Sequence, residues 1–257
     1  MNVSFIGSGN LAWHLAPALD NTEFSVREVY SRQLKNAEAL VRRLYDAKVN
    51  STLDFSASAS EVFIISVSDD VIDDIIRELI LPRDAILLHT SGSQPISVLG
   101  YATTQRTGVF YPLQTFTKSR RVDFKDIPIF IESEDKHTRK VMTDMAKAIS
   151  KNAYEISSSQ RIALHVAAVF ASNFTNHMLT ISREILHDSK LEFDWLKPLV
   201  AETINKALSL GPEQSQTGPA KRGDLEILDK HVAFLQDDEV VAEIYRVISQ
   251  NIVDRYA

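Results

Sequence analysis

No cysteine occurs in the 257 residues. Disulfides, thiolate nucleophiles and cysteine-ligated zinc or iron–sulfur centres are therefore excluded, and no metal ligand set is assigned. No apolar run approaches the roughly 18 residues of a membrane span, so no membrane association is expected. A surplus of positive charge is also missing: 28 Lys and Arg face 34 Asp and Glu, a net charge of −6. A nucleic-acid binder needs cations to displace phosphate counterions, so no nucleic-acid partner is expected. There is no internal repeat and no low-complexity segment. The opening Met1-Asn2-Val3-Ser4-Phe5-Ile6 has no basic leader and runs straight into a glycine turn, which leads to the expectation of a cytoplasmic protein. What remains is an ordinary globular composition, 44% hydrophobic and 24% charged, with length for one large domain or two modest ones.

The first part alternates short apolar runs with helix-like stretches. Strands are expected at 2–6, 25–30, 62–67, 85–89, 108–111 and 128–131, with 153–156 as a candidate last one. Helices are expected at 10–20, 34–45, 71–79 and 137–150. Such alternation predicts an α/β fold, a Rossmann-type doubly wound and mostly parallel sheet. Pro17 would remove a hydrogen bond inside the first helix, so a bend or an early end is expected there. From Ser157 the pattern changes. Residues 158–187 form one helical stretch without proline or glycine, followed by helices at 193–210, 225–235 and 237–255. The expected division is a dinucleotide-binding domain over 1–156 and an all-α domain over 157–257.

Gly7-Ser8-Gly9-Asn10-Leu11-Ala12 follows the first strand and opens the first helix. This is the G-x-G-x-x-G/A pattern where its physics requires it. Gly7 permits the tight turn, Gly9 lets a pyrophosphate approach the backbone, and Ala12 lets the helix pack on the sheet. The helix N-terminus then offers unpaired N–H groups to the phosphates, with Ser8, Asn10 and Leu11 lining them. The second strand ends Tyr30-Ser31-Arg32, without the acidic residue of an NAD site. The Ser31 hydroxyl and the Arg32 guanidinium suit a 2′-phosphate, so the expected cofactor is NADP. Glu28 would reach the ribose only in a shifted register. Ser66, Val67 and Ser68 end the third strand and should border the cofactor. Asp69 and Asp70 precede a helix, where either would serve as its N-cap.

Two strand ends carry polar clusters. His89-Thr90-Ser91-Gly92-Ser93 offers an imidazole and three hydroxyls: Thr90 is assigned to the cofactor, and His89, Ser91 and Ser93 to the substrate. Tyr111-Pro112-Leu113-Gln114-Thr115-Phe116 leaves the next strand, with Gln114 and Thr115 as substrate candidates. A polar capping loop in the first case and a structural turn in the second fit equally well. The long helix is apolar on nearly every side, which predicts burial. Its polar exceptions form a stripe: at about 100° per residue, Ser172 and Asn176 lie within roughly 20° of His165, Arg161 about 40° away and Asn173 about 80°. His165 suits general acid–base work near neutral pH, and Asn173 or Asn176 would hold a substrate oxygen. A helix–helix hydrogen-bond network is the competing reading. The polar, glycine- and proline-rich segment 210–224 offers Thr217 and Arg222 to an anionic substrate group, with Asp224 placed to cap the next helix.

In order along the chain, Gly7-Ser8-Gly9-Asn10-Leu11-Ala12, His89-Thr90-Ser91-Gly92-Ser93, Tyr111-Pro112-Leu113-Gln114-Thr115-Phe116, His165-Val166-Ala167-Ala168 with Asn173, and Thr217-Gly218-Pro219 with Arg222-Gly223-Asp224 resemble a bacterial family described as NADP oxidoreductases. That family joins a Rossmann-like domain to a helical C-terminal domain of unknown function. It is similar in turn to pyrroline-5-carboxylate reductase, 6-phosphogluconate and β-hydroxyacid dehydrogenases and deazaflavin-dependent NADP reductases. The resemblance implies hydride transfer in a cleft between the domains and a homodimer built through the helical one. β-Hydroxyacid dehydrogenases carry a lysine and an asparagine on the corresponding helix; here His165 and Asn173 stand without a lysine.

The expected function is therefore an NADP-dependent oxidoreductase acting on a small metabolite, with His165 and Asn173 catalytic. Two alternatives stay open: an NADP-binding sensor without turnover, motivated by the missing lysine, and a prephenate-dehydrogenase-like enzyme, motivated by Tyr111-Pro112-Leu113.

Overall fold

A computed structural model describes residues 1–256. The chain forms two compact units, Met1–Ser172 and a second that begins at Asn173. The division falls inside the long helical stretch rather than at its start.

The first unit holds one sheet of eight strands: β1 (Asn2–Ile6), β2 (Ser25–Tyr30), β3 (Lys48–Asn50), β4 (Val62–Ile65), β5 (Ile86–His89), β6 (Thr107–Pro112), β7 (Ile129–Glu132) and β8 (Ala153–Glu155). Their spatial order is β3-β2-β1-β4-β5-β6-β7-β8. Only the β6–β7 pair is antiparallel. Every residue of β4 and β5 is buried, as befits parallel strands covered on both faces. Alternate side chains feed two apolar clusters: Phe5, Ile64 and Leu88 join one, Ile6, Ile65 and Leu87 the other. Strand β3 escapes the sequence reading because three half-exposed residues carry no periodic signal.

Helices α1 (Asn10–Asp20), α2 (Leu34–Val41), α3 (Ile72–Glu78) and α4 (Lys136–Ile149) cover the sheet. Helix α1 does not end at Pro17 but continues to Asp20. The N–H that proline lacks would have bonded the carbonyl four residues back. That carbonyl, of Trp13, instead accepts from the Arg43 guanidinium, which also lies 4.3 Å from the Trp13 ring centre.

The strand order reverses at β1: β2 lies on one side of it and β4 on the other. Ligands of doubly wound sheets bind beyond the carboxyl ends of the strands at such a point. Gly7 follows β1 and Ser66 follows β4, so both stand there.

The long stretch begins with α5 (Ser158–Ala168), capped by a reciprocal Ser157–Gln160 box, and passes through a π-helical segment, Val169–Phe174, into α6 (Thr175–Asp188). Burial of this helix is not found in the single chain. Arg161 is the buried residue of α5, while Ile162 and Val166 are exposed. The π turns are wider than α turns, so angles counted at 100° per residue do not carry past Val169.

The second unit adds α7 (Lys197–Leu210), the short α8 (Pro212–Ser215), α9 (Leu225–Phe234) and α10 (Glu239–Tyr256). Among the described residues no helix is long and apolar enough to cross a membrane.

Candidate functional site

A cavity of about 770 Å³ opens at the switch point. It is walled by the glycine turn, by Tyr30, Ser31 and Arg32 after β2, by the segment after β4, and by Thr90 and Ser91 after β5. Gly7 has φ +112°, and a Cβ there would stand 2.1 Å from the Ser66 carbonyl oxygen. The fold itself therefore requires glycine at 7. Gly9 differs: a Cβ there would meet nothing nearer than 3.8 Å. Packing does not demand that glycine, so the space it leaves serves whatever enters the cavity. Ala12, fully buried, packs α1 onto the sheet.

The structure places Gly7, Ser8, Gly9, Asn10, Leu11, Ser31, Arg32, Ser66, Val67, Ser68 and Thr90 on this one cavity. Arg32 is exposed and makes no ion pair among the described residues, leaving its guanidinium open to an anion. Glu28 is turned away. It is buried against Ser4 Oγ (3.3 Å), Ser58 Oγ and Lys48 Nζ (3.5 Å), and the register of β1 on β2 shifts between Val3 and Ser4. No carboxylate of β2 thus competes for the ribose. Asp69 does not cap a helix; it lines the cavity and accepts a hydrogen bond from Ser93 Oγ. Lys118, which sequence reasoning misses, also lines the cavity, with its ammonium 5.0 Å from the Trp13 ring centre. Its loop is tied back by a hydrogen bond between His14 Nε2 and the Thr117 carbonyl.

The loop after β5 is locked. Ser91 Oγ accepts from the N–H groups of Ser93 (3.1 Å) and Gln94 (2.9 Å), and Thr90 Oγ1 donates to the Ile65 carbonyl (3.2 Å). His89 lies beneath, fully buried, its Nδ1 accepting from the Ser91 N–H (3.1 Å) and its Nε2 without a partner. Burial, reinforced by the Arg161 charge, lowers its pKa to about 3. His89 is accordingly neutral.

Arg161 is the buried centre of this end. Its Nη1 donates to the carbonyls of Ser91 (2.9 Å) and Gly92 (3.0 Å), and its Nη2 and Nε to Glu132 Oε2 (3.1 and 3.3 Å). Ser158 Oγ donates to the other carboxylate oxygen (2.6 Å). One turn later His165 Nδ1 lies 2.9 Å from Tyr111 Oη. A Cβ on Gly92 would fall 2.4 Å from that Nδ1 and 2.8 Å from the Tyr111 ring, so glycine is what lets this pair form. Burial raises the Tyr111 pKa, opposed by the Arg161 charge and aided by Asp69, and keeps the phenol protonated.

Other expected residues stand elsewhere. Gln114 and Thr115 are exposed and do not line the cavity; Gln114 Oε1 accepts from the Thr115 N–H (2.8 Å). In the second unit Asn173, Asn176, Thr217 and Arg222 are exposed. Asp224 occupies the N-cap of α9 without a side-chain hydrogen bond. Among the described residues no three His, Asp or Glu side chains could hold a metal ion.

Residues 1–114 match a family described as Rossmann-like domain, and residues 127–252 one described as domain of unknown function (DUF2520). A solved Bacteroides fragilis protein named "putative NADP oxidoreductase" shares 36% identity over 98% of both chains, with a TM-score of 0.87. The chain belongs to this Rossmann-like, DUF2520 family. A solved Thermotoga maritima protein has 22% identity over 98% of this chain and 97% of that one, TM-score 0.72. An Aspergillus terreus reductive aminase, solved with NADPH and ethyl-5-oxohexanoate, has 12% identity over 99% and 94%, TM-score 0.72. These two show the fold alone. No curated protein matches the chain.

Proposed function

We propose that this DUF2520-family protein is an NADP-dependent oxidoreductase acting on a small metabolite. The observation that carries the reading is the glycine turn at the switch point: Gly7 is demanded by the backbone, and Gly9, which packing does not demand, leaves room on the cavity wall for a diphosphate. The residues fit NADP. The first N–H groups of α1 face the pyrophosphate, with Lys118 as a nearby cation, and Ser31 and Arg32 take the 2′-phosphate, with Glu28 withdrawn. Bound NADPH supplies a hydride. Thr90 and Ser91 form the wall beside which the nicotinamide and substrate sit, and His165 exchanges the proton.

The functional form is a homodimer in the cytoplasm. Leu199, Leu208 and Leu210 of α7 are 63%, 83% and 56% exposed, and Trp195 just before it 67%. Leu208 lies about 180° around α7 from Leu199 at about 100° per residue, so the helix is apolar on opposite sides and needs cover, which a second copy supplies.

The test is NADPH oxidation, followed at 340 nm, against a panel of ketones, oxoacids and cyclic imines. At least one class should be turned over, and His165→Gln should slow it by about 100-fold or more. Wild-type turnover by His165→Gln would remove His165 from the chemistry. Tight NADP binding with no turnover of any class would favour the sensor reading.

A further inference from the structure

A proton-exchanging imidazole has two nitrogens, and its second one needs a partner in both protonation states. When Nε2 exchanges the proton, Nδ1 keeps its hydrogen in both states and needs an acceptor. A backbone N–H cannot serve, whereas a hydroxyl oxygen can. His165 meets such a group in Tyr111, 2.9 Å from Nδ1.

We propose, resting on the oxidoreductase reading, that Tyr111 is the positioning residue of His165: it holds Nδ1 through the whole proton cycle and leaves Nε2 as the atom that exchanges the proton with substrate. Bound NADPH would supply a hydride to a substrate carbon, and the attached heteroatom would take the Nε2 proton of doubly protonated His165, which solvent would restore. The neutral ring left behind is the Nδ1–H tautomer, so Tyr111 Oη accepts from Nδ1–H before and after, with no change of partner.

Three observations support the assignment. Gly92 makes the room: any side chain there would meet both Nδ1 and the Tyr111 ring. The same loop carries Thr90 and Ser91 on the cofactor cavity, and Gly92, against which the pair packs, is the next residue. Arg161 fixes this loop through the Ser91 and Gly92 carbonyls and is itself held by Glu132. Burial dominates the charges acting on Tyr111, those of Arg161 and Asp69, and keeps the phenol protonated, a neutral oxygen that accepts from Nδ1–H.

The experiment is ¹⁵N NMR of the histidine rings in the full-length protein, which distinguishes the two neutral tautomers without needing a substrate. His165→Gln identifies the His165 signals, and His231, whose Nδ1 lies 2.7 Å from Tyr245 Oη on the surface, is the internal reference. In the neutral form His165 should be an Nδ1–H tautomer. Tyr111→Phe should mix the tautomers and leave His231 unmoved. Once a substrate is known, Tyr111→Phe should lower kcat about tenfold, shift its pH profile, and leave the KM for NADPH unchanged. An Nε2–H tautomer in the wild type would overturn the proposal. So would an unaltered His165 spectrum in a folded Tyr111→Phe variant. If Tyr111→Phe does not fold, Gly92→Ala provides the second test: it should push the rings apart with the same loss of tautomer preference, and an unchanged His165 spectrum there would likewise overturn it. Absence of turnover would count against the enzyme reading and leave the tautomer result standing.

Discussion

The two units are built on opposite principles. The first closes its own core: Val3, Phe5, Leu15, Ile64, Leu88 and Phe110 are all fully buried within it. Among its described residues the second buries little that is apolar: Ile181, Ala220, Leu228 and Ala242, two of them alanines, while Leu199, Leu208, Phe234 and Val240 stand in the open. A domain must bury apolar area to offset the entropy of ordering its chain. The first unit meets that need internally. The second, on the proposal above, meets it with a second copy. The difference also separates the chemistry: the cavity, its cations and the His165–Tyr111 pair all belong to the self-sufficient unit.

The largest effect should come from the first unit's one buried ion pair. Arg161→Leu strands Glu132 and frees the Ser91 and Gly92 carbonyls, and should cost about 3–5 kcal/mol in urea unfolding. A cost under about 1 kcal/mol would mean that this end of the unit is not held as described.

Acid should act on the same unit through His89. The unfolded chain takes up a proton near pH 6.5, the folded one only near 3. Between those values the unfolded state holds more protons, so stability falls as pH falls from 6.5 toward 3. His89→Gln should flatten the dependence between pH 7 and 5 by up to about 1.4 kcal/mol per unit. An identical slope in wild type and variant would show that this ring is not kept neutral.

For the second unit, Leu208→Asp should halve the mass seen by light scattering and remove the concentration dependence of Tm, with NADP affinity retained. A wild type that is monomeric at all concentrations would break the comparison at its root. The smallest effect falls on the cofactor: Arg32→Ala should weaken NADP by about 10- to 100-fold, the worth of a charge-assisted phosphate contact, and leave NAD unchanged.

Much of the first unit was readable because its signals are local. The glycine turn, the strand before it and the helix after it are consecutive, and Ser31 and Arg32 follow a strand of clear periodicity. The other end was not readable in the same way. Arg161 and His165 stood out as polar residues on an apolar helix, but their partners lie 29 and 54 residues away, on β7 and β6. Nothing in Tyr111-Pro112-Leu113 tells a catalytic neighbour from a structural aromatic. The single clue for Glu132 was a carboxylate closing the apolar run Ile129-Phe130-Ile131. The burial expected for the long helix failed for a related reason. Its apolar sides report that a cover is needed, not that the same chain supplies it. The π-helical segment leaves no composition signal at all, yet it changes which residues share a face.

Isothermal calorimetry of the full-length protein with NADP and NAD tests the central claim most directly. One NADP should bind per chain, and binding should be at least tenfold tighter than that of NAD. Absence of heat with both nucleotides, or a preference for NAD, would contradict the assignment of the glycine turn, Ser31 and Arg32.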